Sequence, residues 1–287
     1  MIITKRGGIN PNQIQLAQLF SVNRVLASRG FTIKSEGDGT DTLIPKTEWT
    51  PSEADLVFEI FNDKTSRKEL LDFIEGKVSV PSVAISGLTN NVAFVKNRSA
   101  FSSTFEWYLG ELLVKRFRAF SSSYSVIVND ICRNSDNGES GDYDVLSILG
   151  DMNLLYIESK SGSIDQCGIM KAVERSISLH CVATVVVVER LSNEILDGML
   201  KGLKYPNLPS LSSYYELSIK GRADCVVYKW HNCYFVHATK NIEVQLQTVL
   251  RLIEYSRILI TQCMIAGEGD FETMGYVLTV HKTEQNP

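Results

Sequence analysis

The segment Asp144–Lys160, "DVLSILGDMNLLYIESK", leaves the chain few options. Two apolar runs rich in Leu, Ile and Val flank Gly150, Asp151 and Met152, which predicts an antiparallel hairpin closed by a three-residue loop. Leu149 then faces Asn153, and counting back in register sets Asp144 opposite Glu158. Side chains alternate along a strand, so Leu154, Tyr156, Glu158 and Lys160 share one face while Leu155, Ile157 and Ser159 share the other. Two carboxylates opposed at about 4.5–5.5 Å between Cβ atoms destabilise a sheet. A divalent cation between them is the economical compensation, and paired carboxylates suit a hard ion such as Mg²⁺ or Mn²⁺. A slip of one residue would undo the pairing.

Around this hairpin the pattern reads α-β-β-β-α-β. "SSTFEWYLGELLVKRFRAF" is an amphipathic helix that a Ser or Thr would cap, "SYSVIVNDI" a strand, and "CRNSDNGESG" a polar loop. After the hairpin, "DQCGIMKAVERSISLH" is a helix and "CVATVVVVE" a strand apolar throughout, as in a sheet covered on both faces. The expected fold is α/β: a central mixed-sheet core at residues 96–190, an N-terminal α/β accessory region at 1–95, and a C-terminal α/β extension at 191–287. In the first region "NPNQIQLAQLFSVNRVLASRG" predicts a helix stopped at Gly30, followed by the strand "FTIK". "SVPSVAISGLTNNVAFVKN" reads as two short strands. In the last region "NEILDGMLKGL" reads as helix and "ADCVVYKWHNCYFVHA" as a hairpin turning near His231. "IEVQLQTVLRLIEYSRILI" reads as a long helix and "GYVLTVHK" as a strand.

A third acid is expected from the helix before the hairpin. Glu106 shares a stripe with Leu109, Leu113 and Phe117, the face that presses on a sheet, whereas Glu111 groups with Trp107, Lys115 and Arg118 on a more polar face. Glu106 is thus the preferred ligand, with Glu111 in reserve. Lys160, next after Glu158 on the same face, is suited to orient an attacking water and to stabilise charge on a phosphate. Together these residues point to metal-assisted phosphodiester hydrolysis.

The combination "FEWYLGELL", "DYDVL" and "LYIESKSG" resembles the PD-(D/E)XK nuclease superfamily, the restriction-endonuclease-like fold. Within it the stretch is similar to the nuclease domain of CRISPR ancillary nucleases. Tyr143 stands where the superfamily often carries proline. The resemblance covers about the central third of the chain and implies Glu106, Asp144 and Glu158 as ligands of Mg²⁺ or Mn²⁺, with Lys160, Glu158 and Asp144 catalytic. It implies an endonuclease acting on nucleic acid, DNA ahead of RNA, in defence against foreign nucleic acid. A homodimer would let two such sites address both strands of a duplex. The other readings are an inactive nuclease-fold module that binds nucleic acid and a structural or interaction protein.

Composition narrows the setting. Six cysteines and four histidines show no ligand spacing, which argues against structural zinc and a disulfide framework and for a reducing, cytoplasmic location. No apolar run approaches membrane-spanning length. The net charge of −4 means that a polyanion must be held locally or through metal ions. Asp142 reads as a loop residue. Gln166 is placed to reach a phosphate, and Lys115, Arg116 and Arg118 to touch a phosphate backbone. Trp107 and Trp230 are candidates for base stacking, with packing or solvation the commoner use of each residue.

Overall fold

Ser21 opens helix α1 (Val22–Ser28) by accepting a hydrogen bond from Arg24 N–H at 3.4 Å. The helix stops where expected: Gly30 adopts φ +88°, a left-handed position that costs glycine nothing. The computed structural model describes residues 19–35, 42–44, 49–128, 142–162, 164–189, 199, 213–219, 222–266, 270–273 and 276–282, with side chains left aside at 35, 213–215, 217–219, 222–225, 255–266, 270–273 and 276–282. The loop expected at 132–141 and the helix expected at "NEILDGMLKGL" lie outside the described residues, Met199 excepted. The chain is mixed α/β and forms two compact units, Met1–Ser159 with Ser178–Cys181, and Lys160–Ile177 with Val182–Pro287.

In the first unit, α1 leads into β1 (Ile33–Ser35). Helix α2 (Pro51–Asn62) begins with a reciprocal capping box between Thr50 and Glu53 and a proline in its first turn, and Asp63 caps α3 (Lys64–Ile74) by accepting from Ser66 N–H at 2.8 Å. The segment expected as paired strands contains helix α4 (Val83–Thr89). Ile85 and Leu88 are buried three residues apart while Val83 is 92% exposed, so the apolar period is helical rather than two. Helix α5 (Arg98–Phe117) is capped by Asn97, whose Oδ1 accepts from the N–H groups of Ser99 and Ala100, and not by a Ser or Thr inside it.

Strands β2 (Ser121–Val128), β3 (Tyr143–Ile148) and β4 (Leu154–Lys160) follow, giving an antiparallel order β1-β2-β3-β4. The β3–β4 loop has the expected length. Leu149 N–H donates to Asn153 at 2.9 Å, and Met152 sits at φ +68°, the left-handed third residue of such loops.

Helix α5 packs on α2 through Phe58, Phe61, Phe101, Phe105 and Tyr108, whose neighbouring rings lie 5.1–6.3 Å apart. Against the sheet it approaches at Gly110, where an added Cβ would lie 2.8 Å from Ser122 Oγ, a hydroxyl held by Ser147 at 2.7 Å. Gly110→Ala is therefore expected to destabilise the protein by about 1 kcal/mol, overpacking outweighing the gain in helix propensity, as a denaturant titration would show.

In the second unit α6 (Gln166–Ser178) precedes β5 (Ala183–Val188), six residues buried without exception. β5 pairs in parallel with β8 (Cys233–His237), which continues antiparallel to β7 (Arg222–Trp230) and β6 (Ser213–Ile219). After α7 (Ile242–Ala266), β9 (Asp270–Thr273) and β10 (Tyr276–Lys282) complete the order β5-β8-β7-β6-β10-β9. The β7–β8 turn falls at His231 and Asn232 as expected, with His231 at φ +53°. Gln245 of α7 satisfies both backbone groups of His237, donating to its carbonyl at 2.8 Å and accepting from its N–H at 3.0 Å. No helix among the described residues is long and apolar enough to cross a membrane.

Candidate functional site

The pairs Val145–Ile157, Leu146–Tyr156, Ser147–Leu155 and Ile148–Leu154 set the register, and Asp144 and Glu158 are the next residues on the two strands, just past the last pair. Both carboxylates are buried, Asp144 at 8% and Glu158 at 4% exposure. Each has donors of its own. Asp144 Oδ2 accepts from Ser159 N–H at 2.7 Å and from Ser159 Oγ at 3.2 Å, and Tyr156 O–H donates to Glu158 Oε2. These hydrogen bonds supply part of the compensation for burying the two acids.

Strict alternation also ends here. Tyr143 and Tyr156 would face opposite ways on ideal strands, yet their rings meet edge-on at 5.1 Å. Across β3, Ser125 of β2 falls opposite Asp144, between the pairs Tyr124–Val145 and Val126–Tyr143, and it adopts φ +49°. A non-glycine residue in the left-handed region within a strand marks local distortion.

Glu106 faces the sheet, where its Oε2 accepts from Ser125 Oγ at 2.8 Å. Glu111 does not lie on a polar face: it is 5% exposed, beside the equally buried Trp107. Packed between α2 and α3 on one side and β2 and β3 on the other, α5 buries every residue from Trp107 to Leu113, so the assumption of one polar stripe fails there. Lys160 ends β4 half-buried, its carbonyl accepting from Glu189 N–H at 2.9 Å.

No protein-family model matches the chain, and no curated protein matches its sequence. The candidate site therefore stands on its own geometry. Among the described residues no three His, Cys, Asp or Glu side chains gather into a group able to hold a metal ion. Two buried carboxylates on adjacent strands, each held by a hydroxyl donor, supply oxygen ligands of the kind that suits a hard cation such as Mg²⁺ or Mn²⁺.

Of the other candidates, Trp107 and Trp230 are both buried, which leaves neither ring open for base stacking. Lys115 pairs with Asp55 at 3.0 Å and lies 4.5 Å over the Phe58 ring, and Arg116 lies 3.9 Å from Glu59. The basic end of α5 is thus engaged with α2. Gln166 donates to the carbonyl of Met199 at 3.1 Å. Residues that sequence reasoning passed over are Ser125, Tyr156 and Ser159, the hydroxyls on the three acids. Only Tyr156 stands near in sequence to the acid it bonds; Ser125 and Ser159 lie 19 and 15 residues from Glu106 and Asp144.

One titrating group stands apart from this constellation. In the second unit burial lowers Lys229 to about 8, although its Nζ donates to the His231 carbonyl at 2.5 Å. Its free value is 10.5, so the unfolded chain holds the proton more tightly. The resulting cost to stability is full below pH 8 and fades as the pH rises toward 10.5. Wild-type stability is expected to climb between pH 8 and 9.5, below the range in which Tyr234, shifted upward by burial, begins to count. Lys229→Met should abolish the climb and stabilise the protein at pH 7 by about 2 kcal/mol, as urea melts across this range would show.

Proposed function

We propose that the chain is a divalent-metal-dependent endonuclease of restriction-endonuclease-like fold that hydrolyses phosphodiester bonds of DNA, with RNA as the second candidate substrate. The observation that carries this reading is the hairpin whose printed pairs end at Val145–Ile157, with the buried acids Asp144 and Glu158 next on the two strands and Lys160 closing the second. The element order α5-β2-β3-β4-α6-β5 supports it as well.

In this reading Asp144 and Glu158 hold Mg²⁺ or Mn²⁺ at the strand ends. The bound ion would polarise the phosphate and make its coordinated water more acidic. Lys160 orients the attacking water and stabilises charge on the phosphoryl oxygens. Tyr156 donates to Glu158 and Ser159 to Asp144, which holds the two carboxylates in place. Glu106, anchored on β2, is the acid available from the helix. Defence against foreign nucleic acid and pairing of two chains to address a duplex belong to the same reading.

A second reading rests on the absence of a three-acid group among the described residues: a nuclease-fold module that binds nucleic acid without cutting it. Incubation of the wild-type chain with single- and double-stranded DNA and RNA in Mn²⁺ separates the two. Cleavage that requires Glu158 supports the enzyme. Retention of intact nucleic acid by the protein supports the module. A chain that neither binds nor cuts is an interaction protein in which the acids are incidental.

A further inference from the structure

Strand β7 sets Lys229 on a buried face of its sheet. In the β7–β8 register Lys229 stands opposite Tyr234, and Val227 and Val236, two residues along the two strands, share that face with it. Val227, Tyr234 and Val236 are 0%, 2% and 1% exposed, so the aliphatic stem runs over apolar surface while the side chain as a whole stays half-buried. The hairpin turn brings a neutral acceptor to its tip: Nζ donates to the His231 carbonyl at 2.5 Å, and His231 adopts φ +53°. Nζ also lies 5.6 Å from the centroid of the Tyr234 ring. A carbonyl dipole and a ring quadrupole stabilise an ammonium less than bulk water does, and burial lowers the amine to about 8. A neutral fraction and a fixed position are what a lysine needs to act as a nucleophile.

We propose that Lys229 is a modification site of the chain, an amine at the β7–β8 turn that condenses with aldehydes to form a Schiff base. The nitrogen lone pair attacks the carbonyl carbon, a C–N bond forms, and the carbonyl oxygen leaves as water with both hydrogens of the amine. No oxidant or reductant enters that step. The site shares no residue with the acids of β3 and β4 and stands independently of the proposed endonuclease activity. Near pH 7.5 the neutral fraction of such an amine exceeds that of a free lysine by roughly 200-fold. Its lower basicity and partial cover take back part of that gain, leaving an advantage of about 10-fold.

The test treats the folded full chain at about pH 7.5 with limiting formaldehyde and cyanoborohydride, which fixes each Schiff base as a methylamine, and follows the lysines by peptide mass spectrometry. Lys229 is expected to be methylated about 10-fold faster than Lys68 and Lys77, whose side chains are 75% and 56% exposed. In urea the difference should vanish, because it comes from the fold. Lys229→Arg keeps the charge but offers no neutral amine, and should lose the fastest-reacting equivalent seen in the wild type. Equal or slower methylation of Lys229 in the folded chain overturns the inference. So does a Lys229→Arg protein that takes up its first equivalent as fast as wild type.

Discussion

Lys160→Ala is expected to lower Mn²⁺-dependent cleavage by about 10²–10⁴-fold while leaving Mn²⁺ affinity close to that of wild type. Lysine cannot ligate a cation in its ammonium form, and its proposed work is on the water and the phosphate. Glu158→Gln separates the two roles from the other side. The amide keeps the volume and one acceptor oxygen in a buried position but loses the charge, so both metal affinity and cleavage should fall. A single-turnover cleavage assay alongside calorimetry reads both quantities. Equal loss of metal affinity in the two variants would remove the distinction between ligand and water-positioning base on which the mechanism depends.

Phe105→Ala is expected to cost about 3–5 kcal/mol of stability in a urea titration. The ring has no solvent exposure and packs among Phe61, Phe101 and Tyr108, with the buried Arg67 guanidinium 5.8 Å from its centroid. Removing it leaves a cavity and strips Arg67 of an aromatic neighbour, although Arg67 keeps its hydrogen bond to the Phe61 carbonyl. Because Glu106 is the next residue on α5, the same variant asks whether the helix is held from its far side. A loss below about 1 kcal/mol would mean that the aromatic cluster is not the packing core of this unit.

The hairpin was legible because two local rules agreed. Gly150-Asp151-Met152 set the loop length and the apolar alternation set the faces, and the structure keeps the resulting register, with Leu149 bonded to Asn153. Gly30 stopped α1 for the same kind of reason, a backbone angle that one residue type adopts freely. What escaped the sequence depended on neighbours distant in the chain. Glu111 looked exposed because a helical wheel presumes one solvent face, and α5 is covered by helices on one side and by strands on the other. Val83–Thr89 looked like strand because its β-branched and apolar residues suit either state, and only the burial of Ile85 and Leu88 chose the helix.

The details of the candidate site were the least legible. "SSSYSVIV" gives no sign that Ser125 alone turns left-handed, since serine has no preference strong enough to announce it. Nor does "YIESKSG" reveal that Ser159 becomes a donor to Asp144 on the neighbouring strand, because strict alternation sets Ser159 on the face opposite Glu158. The register as far as Val145–Ile157 was available from counting residues. The hydrogen bonds that let two buried acids coexist there were not.

The central claim is that the carboxylates of Asp144 and Glu158 hold a divalent ion. Its most direct test is a crystal of the full chain soaked in Mn²⁺ and measured at a wavelength where manganese scatters anomalously. The account predicts an anomalous peak within about 2.0–2.4 Å of a carboxylate oxygen from each of Asp144 and Glu158, lost in Glu158→Gln. Full occupancy of manganese elsewhere, with no ion within coordination distance of either carboxylate, would contradict it.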